Sequence, residues 1–220
     1  MASLNFDDGW KNFYTNALPL LQKAKVKATL YPVSGYVKER RKQFMTAALL
    51  RAVEAQGHEI GAHTQYHVLL TKVTRQRADR EIRQSRQDLE DLGVRSVTTF
   101  AYPYGVYSRR LRGVVRETGY SGARISSCGL NSPRSDRLLL KTCAVSRKMK
   151  VARLKSWIDD AVREKRWLII TFHDVQKKPR RYGTTPNVLE EILKYLKQKR
   201  VRVVTNSQGL QIINEIRLTN

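Results

Sequence analysis

The stretch that decides the fold is Ala2-Ser3-Leu4-Asn5-Phe6-Asp7-Asp8-Gly9, a short apolar run that ends in two carboxylates and a glycine. The run Ala2–Phe6 is typical of a strand, and Gly9 permits a sharp turn away from it. Adjacent carboxylates repel each other, so a fold that keeps both at a strand end needs a cation or a shared proton. Taken alone, the pair is more often an exposed turn. The role of the Asp7-Asp8 pair must therefore be inferred from other parts of the sequence.

Similar apolar and β-branched runs recur along the chain and alternate with helix-length segments. The further predicted strands are Val26–Pro32, Glu59–Ala62, Val97–Tyr102, Tyr120–Ile125, Leu138–Cys143, Trp167–Phe172 and Val201–Thr205. Two predicted helices are a long one from Thr71 through Leu92 and one at Asn187–Lys199. This rhythm predicts an α/β fold of seven or eight βα units that form a small, irregular barrel in a single domain over residues 1–220.

The net charge of the chain is unusually high: it has 42 Lys and Arg residues and only 19 Asp and Glu residues, which gives +23. Such a surface would attract nucleic acid, anionic lipid or an anionic cell-envelope polymer about equally well. A solvated cationic surface that binds nothing specific is given equal weight. Nucleic acid is a partner that we do not expect but do not exclude. Cys128 and Cys143 are too few for a disulfide-dense scaffold or a Cys-rich zinc module, and they are either bridged or separately reduced.

Targeting signals are not evident in this sequence. No run approaches the roughly 20 apolar residues that span a bilayer, and no basic-then-apolar leader opens the chain. We expect an upstream targeting segment to be absent from this sequence.

Three of the four histidines stand where chemistry is expected, just after predicted strands. His63 and His67 have the spacing that places two imidazoles on one side of a helical turn, within reach of one metal. His173 follows the apolar run Trp167–Phe172, whereas His58 reads as structural. With one carboxylate, the imidazole pair makes a three-ligand set with open coordination positions, typical of metal-assisted hydrolysis and also of non-haem iron oxygenases.

Four ordered motifs carry a family resemblance. They are Asn5–Gly9, Gly57–His67, Phe100–Gly105 and Thr171–Asp174. In this order and spacing they resemble the motifs of the polysaccharide deacetylases, the NodB-homology group of carbohydrate esterase family 4. The resemblance implies a NodB-like distorted barrel of about seven units and a hydrolase that removes N-acetyl, less often O-acetyl, groups from a polysaccharide. It also implies a secreted or cell-envelope location.

The resemblance also implies roles for individual residues. Asp7 would be the catalytic base and His173 the catalytic acid. The metal ligands would be Asp8, His63 and His67. The motif Pro103-Tyr104 would contact substrate, with the backbone N–H of Tyr104 holding the oxyanion. The implied cofactor is a divalent metal, zinc first and cobalt or another ion as alternatives, which would activate the attacking water.

Two departures from the family pattern leave rival interpretations open. Ala101 stands where the third motif commonly has an arginine that orients the base. The fourth motif, an acid followed by tryptophan, has no clean match, and its candidates are Asn131, Asp136 and Trp157. The main prediction is a deacetylase of a chitin, poly-N-acetylglucosamine or peptidoglycan type of glycan. The alternatives are a barrel that only binds anionic polymer or nucleic acid, and a related amide or imide hydrolase.

Overall fold

A computed structural model describes residues 1–219 and contains eight strands within them. The strands are β1 (Ala2–Asp8), β2 (Thr29–Pro32), β3 (Glu59–Ile60), β4 (Thr99–Ala101), β5 (Gly122–Arg124), β6 (Leu130–Asn131), β7 (Cys143–Ala144) and β8 (Trp167–Phe172). The α-helices are α1 (Leu18–Ala24), α2 (Ser34–Lys38), α3 (Ala47–Ala55), α4 (Arg75–Asp91), α5 (Arg109–Glu117), α6 (Val151–Arg163), α7 (Pro186–Gln198) and α8 (Asn206–Thr219). A π-helical turn at Phe13–Ala17 precedes α1, and a 3-10 turn at Pro103–Gly105 follows β4.

The main sheet is built around β1. It pairs in parallel with β2 on one side and with β8 on the other, and β3 extends the sheet beyond β2. Beyond β8 lie β7, which is parallel, and β6, which is antiparallel. Strands β1 and β8 are almost wholly buried, as expected for continuous apolar runs covered on both faces. The parallel register brings the carboxyl ends of β1, β2 and β8 to one edge.

A second, two-stranded parallel sheet consists of β4 and β5. Isolated bridges join it to the main sheet, Ala62 to Phe100 at one edge and Arg124 to Leu140 at the other. Over residues 1–219 no continuous ladder closes the ring, yet the strands surround one large apolar core. The predicted α/β fold and distorted barrel are confirmed.

Several predicted boundaries differ from the structure. The run Val201–Thr205 is not a strand, because it reaches β1 only through a bridge between Ala2 and Val203. The run Leu138–Cys143 contributes an isolated bridge at Leu140, and β7 begins only at its last residue. The long helix begins after Thr74, whose hydroxyl accepts a hydrogen bond from the Arg77 N–H, and not after Thr71.

The helices cover the sheet through their apolar faces, as the spacing in the sequence predicts. In α7 the buried residues are Leu189, Ile192, Leu193 and Leu196, and the helix begins after Thr185, whose hydroxyl accepts from the Val188 N–H. Among residues 1–219 no helix is long and apolar enough to cross a bilayer.

Candidate active site

The two carboxylates at the end of β1 point into different surroundings. Asp7 is 5% exposed, whereas Asp8 is partly exposed at the end of the strand. The chain turns sharply after them, with left-handed backbone at Asp8 (φ 67°) and Gly9 (φ 79°). A Cβ on Gly9 would lie 2.8 Å from the Cβ of Pro32 in β2, so this turn requires glycine.

Asp8 lies against both histidines of the predicted pair. Its Oδ1 is 3.7 Å from Nε2 of His63 and 3.6 Å from Nε2 of His67. The three ligand atoms lie within 4.8 Å of one another, and Asp8 Oδ1 is buried with no hydrogen-bond partner in residues 1–219. The other carboxylate oxygen, Oδ2, accepts a hydrogen bond from the indole of Trp10 at 3.0 Å. An orphaned carboxylate oxygen facing two imidazole nitrogens is the environment that a divalent cation would satisfy.

The histidines are held by a loop and not by the helical turn that their spacing suggested. Thr64 and His67 have left-handed backbone, with φ of 63° and 55°. The His67 N–H donates to the Thr64 hydroxyl at 3.0 Å, which closes the loop on itself. Because positive φ is unfavourable for a β-branched residue, Thr64 is a genuine outlier of the kind that clusters at functional sites.

Hydrogen bonding and burial both favour a neutral imidazole at His63. Its Nδ1 lies 2.8 Å from the carbonyl oxygen of Ala101, so a proton on Nδ1 leaves the lone pair of Nε2 facing Asp8. Burial lowers the pKa of His63 to about 4. The imidazole is therefore uncharged at neutral pH, as metal binding requires.

Asp7 makes an ion pair with a residue that the sequence interpretation missed. The guanidinium of Arg124, the last residue of β5, donates from Nη2 to Asp7 Oδ1, and Arg124 is 1% exposed. Burial opposes ionisation of Asp7, but the charge of Arg124, with smaller contributions from His63 and His173, holds its pKa below the usual range. Asp7 is therefore a carboxylate in the folded protein.

Arg124 takes the place of the arginine that the third motif lacks. Ala101 and Arg124 are register partners in β4 and β5, so the guanidinium enters from the neighbouring strand. Its carbon Cζ lies 4.7 Å from the ring centroid of Tyr31, a cation–π contact. The signal in the sequence was an arginine inside a predicted buried strand, Tyr120–Ile125, where an unpaired charge would be costly.

His173 lies beside Asp7. Its Nε2 is 3.9 Å from Asp7 Oδ2, and its Nδ1 is buried without a hydrogen-bond partner in the part of the chain described. The candidates for the fourth motif do not supply that partner. Asn131 donates to the carbonyl of Trp167, about 20 Å along β8 from His173.

The other two candidates for the fourth motif serve elsewhere. Asp136 pairs with Arg112 at 2.6 Å. Trp157 belongs to the apolar core, on the buried face of α6. None of these three residues therefore places an acid beside His173.

The motif Pro103-Tyr104 lies at the rim of the same site. Pro103 is buried, whereas Tyr104 is 61% exposed and has left-handed backbone with φ of 59°. The ring of Tyr104 meets that of His67 edge to face, with centroids 4.7 Å apart. The structure thus brings together all seven residues that the sequence predicted for the site, and their roles stay predictions.

The loop beside the site carries a disulfide. Cys128 and Cys143 are bonded to each other and lie 15 residues apart in the sequence. The question of bridged or free cysteines is thereby answered in favour of the bridge. It ties the irregular segment after β5 to the first residue of β7.

Comparisons with known proteins agree with this geometry. The model of the polysaccharide deacetylase family matches residues 1–123. A chitooligosaccharide deacetylase of Sinorhizobium fredii is 32% identical over 110 residues, 48% of this chain and 47% of the relative. The peptidoglycan-N-acetylmuramic acid deacetylase PdaA of Bacillus subtilis is 27% identical over 119 residues, 53% of this chain and 43% of the relative. The chain thus covers less than half the length of these curated relatives.

Solved structures show the same fold over nearly the whole chain. The Xyl-CE4 domain of a multidomain xylanase from the hindgut metagenome of Trinervitermes trinervoides superposes with a TM-score of 0.68 at 21% identity, covering 94% of this chain and 87% of that one. The peptidoglycan deacetylase PdaC of Bacillus subtilis superposes with a TM-score of 0.64 at 22% identity, covering 99% and 92%. The family model matches residues 1–123, more than half of the chain, and the ordered motifs agree with it. The chain therefore belongs to the polysaccharide deacetylase family.

Proposed function

We propose that the chain is a metal-dependent hydrolase that removes N-acetyl groups from a glycan containing N-acetylglucosamine. One observation carries the proposal: a three-donor metal set ends the same strand as a buried, charged aspartate that a histidine also contacts. The names of relatives that act on chitooligosaccharide and peptidoglycan support the substrate class. We propose further that residues 1–220 are a single catalytic domain.

The donor set fits a divalent ion. One carboxylate and two imidazoles suit zinc, and the same set accepts cobalt. The ligands would be Asp8, His63 and His67, which leave coordination positions open for substrate and water. When bound, such an ion polarises the acetyl carbonyl and lowers the pKa of a water molecule.

Asp7 is the proposed general base. Its ion pair with Arg124 keeps the carboxylate charged and fixes Oδ1, which leaves Oδ2 directed toward His173. A water that attacks the acetyl carbon gives up its proton to this carboxylate as the new carbon–oxygen bond forms. Arg124 is a positioning residue in this scheme, because it acts on the reaction only through Asp7.

His173 is the proposed general acid. In its protonated form it donates the proton from Nε2 to the amide nitrogen as the carbon–nitrogen bond breaks, so that the sugar leaves as a neutral amine. The backbone N–H of Tyr104, at the rim beside His67, is the proposed donor to the oxyanion that forms on the acetyl oxygen. Acetate and the free amino sugar are the products.

The disulfide supports a location outside the reducing cytosol. Disulfides persist in oxidising compartments, and Cys128 and Cys143 are bonded. A secreted or envelope-associated deacetylase would meet its polysaccharide there.

The experiment that tests the function is acetate release from acetylated glycans by protein stripped with chelator and resupplied with zinc or cobalt. Asp8→Ala is expected to lose both bound metal and acetate release. Asp7→Asn is expected to keep the metal and to lower kcat by about 10²-fold or more, the range for a general base. Near-wild-type turnover in Asp7→Asn would refute the assignment of the base. Hydrolysis of small amides without acetate from any glycan would instead favour the amide hydrolase alternative.

A further inference from the structure

Two loops at the carboxyl ends of β7 and β8 concentrate positive charge beside the site. All seven of their basic side chains are exposed, and residues 145–150 and 175–185 contain no Asp or Glu. We call this group the basic rim: Arg147, Lys148, Lys150, Lys177, Lys178, Arg180 and Arg181.

The loops that carry the basic rim are firmly held. The N–H of Arg147 donates to the carbonyl of Arg181 at 3.0 Å, which joins the two loops. The buried carboxylate of Asp174 accepts from the Arg180 N–H at 3.0 Å and from Gln176 Nε2 at 2.7 Å. The Val175 N–H donates to the side-chain oxygen of Asn12, in the segment after β1, at 3.1 Å. The backbone that carries the basic side chains is therefore fixed in place.

The basic rim adjoins the proposed catalytic groups directly. The second loop begins immediately after His173, and the ring of Tyr182, 47% exposed, lies 5.6 Å from the His173 ring between centroids. The guanidinium of Arg180 covers the ring of Trp10 at 4.0 Å, and the Trp10 indole donates to Asp8. A glycan bound at the site would therefore extend past these cations.

The basic rim is not neutralised by the protein. Within residues 1–219 only Arg180 of the seven lies within ion-pair distance of a carboxylate, 3.7 Å from Asp174. On the helices, by contrast, many of the basic residues form ion pairs with carboxylates. Examples are the pairs Arg83–Glu117, Arg86–Glu90 and Lys155–Glu191. Like charges held close together without a counter-charge create a strong local potential for an anion.

We propose that the basic rim binds negative charges on the substrate itself, so that the substrate is an anionic acetylated glycan with a carboxylate or phosphate close to the sugar that loses its acetyl group. The inference rests on the proposed deacetylase function. Lysine and arginine both bind carboxylate and phosphate. Because salt screens exposed charges beyond about 8 Å at physiological ionic strength, only anionic groups near the reacting sugar are recognised.

The test compares three substrates with one backbone: chitohexaose, chitohexaose partially carboxymethylated at O6, and chitohexaose partially phosphorylated at O6. With zinc present and at low salt, kcat/KM for an anionic substrate is expected to exceed that for the neutral one on the order of tenfold. Added salt is expected to remove the advantage. The two anionic arms identify whether carboxylate or phosphate is preferred. Binding of the same oligosaccharides to metal-free protein gives a readout that does not depend on turnover.

Matched variants separate a local effect from one of total charge. The rim variant combines Lys148→Gln, Lys177→Gln and Lys178→Gln. The control combines Arg116→Gln, Arg134→Gln and Arg217→Gln, an equal loss of charge in a cleft that also contains Thr98 and Ser121, the residues before β4 and β5. That cleft is at the amino ends of the strands, away from the site.

The rim variant is expected to lose about tenfold in preference for the anionic substrate, and the control to keep it within a factor of about two. The inference would be overturned if both variants lost the preference for the anionic substrate equally, or if the wild-type protein showed no such preference. Acetate release in the same experiment would still support the proposed deacetylase function. Absence of acetate from all three substrates with metal bound would refute the proposed function, and the inference with it.

Discussion

Moving the guanidinium that contacts Asp7 from one strand to the next tests the proposed base most sharply. Ala101 and Arg124 are register partners in β4 and β5, and Ala101 holds the place where the family commonly has its arginine. Neighbouring strands lie about 4.8 Å apart, a distance that an arginine side chain spans. We therefore compare Arg124→Ala with the double variant Ala101→Arg/Arg124→Ala, in which the arginine returns to the usual place.

The structure sets the expected size of the effect on stability. Asp7 and Arg124 are both buried, and removal of one partner of a buried ion pair costs about 3–5 kcal/mol. For a chain of this length that corresponds to a fall in Tm of roughly 6–20 °C in Arg124→Ala. Part of the loss is avoided if Asp7 takes up a proton, because burial raises its pKa and Arg124 is the largest of the influences that lower it.

The pH dependence of kcat separates a positioning role from a merely structural one. Without Arg124 the pKa of Asp7 rises, so the base is protonated over a wider range and the acidic limb of the kcat profile moves to higher pH. At neutral pH we expect kcat to fall about 10²-fold in Arg124→Ala and to recover about tenfold in the double variant.

Metal content and the folded fraction are measured in parallel. Arg124→Lys serves as the variant that keeps the charge without the planar donor pair. A wild-type kcat with an unshifted acidic limb in folded Arg124→Ala would refute the reasoning.

Three further predictions concern stability and metal affinity. Burial lowers the pKa of His58 from 6.5 to about 4, so between these pH values only the unfolded chain binds the proton. The free energy of unfolding, measured with urea, should therefore fall by up to about 3 kcal/mol from pH 7 to pH 4. His58→Gln should make this free energy less dependent on pH over the same range. The Cys128→Ser/Cys143→Ser variant should lose about 3 kcal/mol in the same assay, as expected for a loop of this length; an unchanged midpoint would contradict it. Trp10→Phe removes the donor to Asp8 and should weaken zinc affinity about 10-fold to 100-fold, as measured by competition with a chelator.

The sequence predicted the central part of the fold well because buried parallel strands are continuous apolar runs. Strand β8 has the predicted bounds, and β1 extends the prediction by the two carboxylates themselves. The run Val201–Thr205 failed because strand pairing depends on a free edge. Strand β8 pairs with Ala2–Phe6 of β1 and β2 pairs with Asn5–Asp8, and outside these pairings only Ala2 forms a bridge to Val203. No local pattern records which edges are already taken.

The site was predicted residue by residue from motif order, but its supporting contacts were not. The motif marked Ala101 as a gap, and only the register of β4 with β5 reveals that Arg124 fills it. Likewise, the four-residue spacing of His63 and His67 predicted a helical turn, whereas the loop closes through the hydroxyl of Thr64. Both features depend on contacts across the fold, which a linear sequence does not display.

Backbone conformation explains why local propensity could not have found the site. Asp8, Thr64, His67 and Tyr104 all have positive φ, a conformation that costs roughly 1–2 kcal/mol for a residue other than glycine. At a buried position such a conformation persists because the surrounding packing allows no alternative. Here that packing is the buried strand β1 and the fully buried Thr64. Three of these four residues, Asp8, His67 and Tyr104, are at predicted ligand or oxyanion positions, so the predicted site requires backbone conformations that their own local preferences oppose.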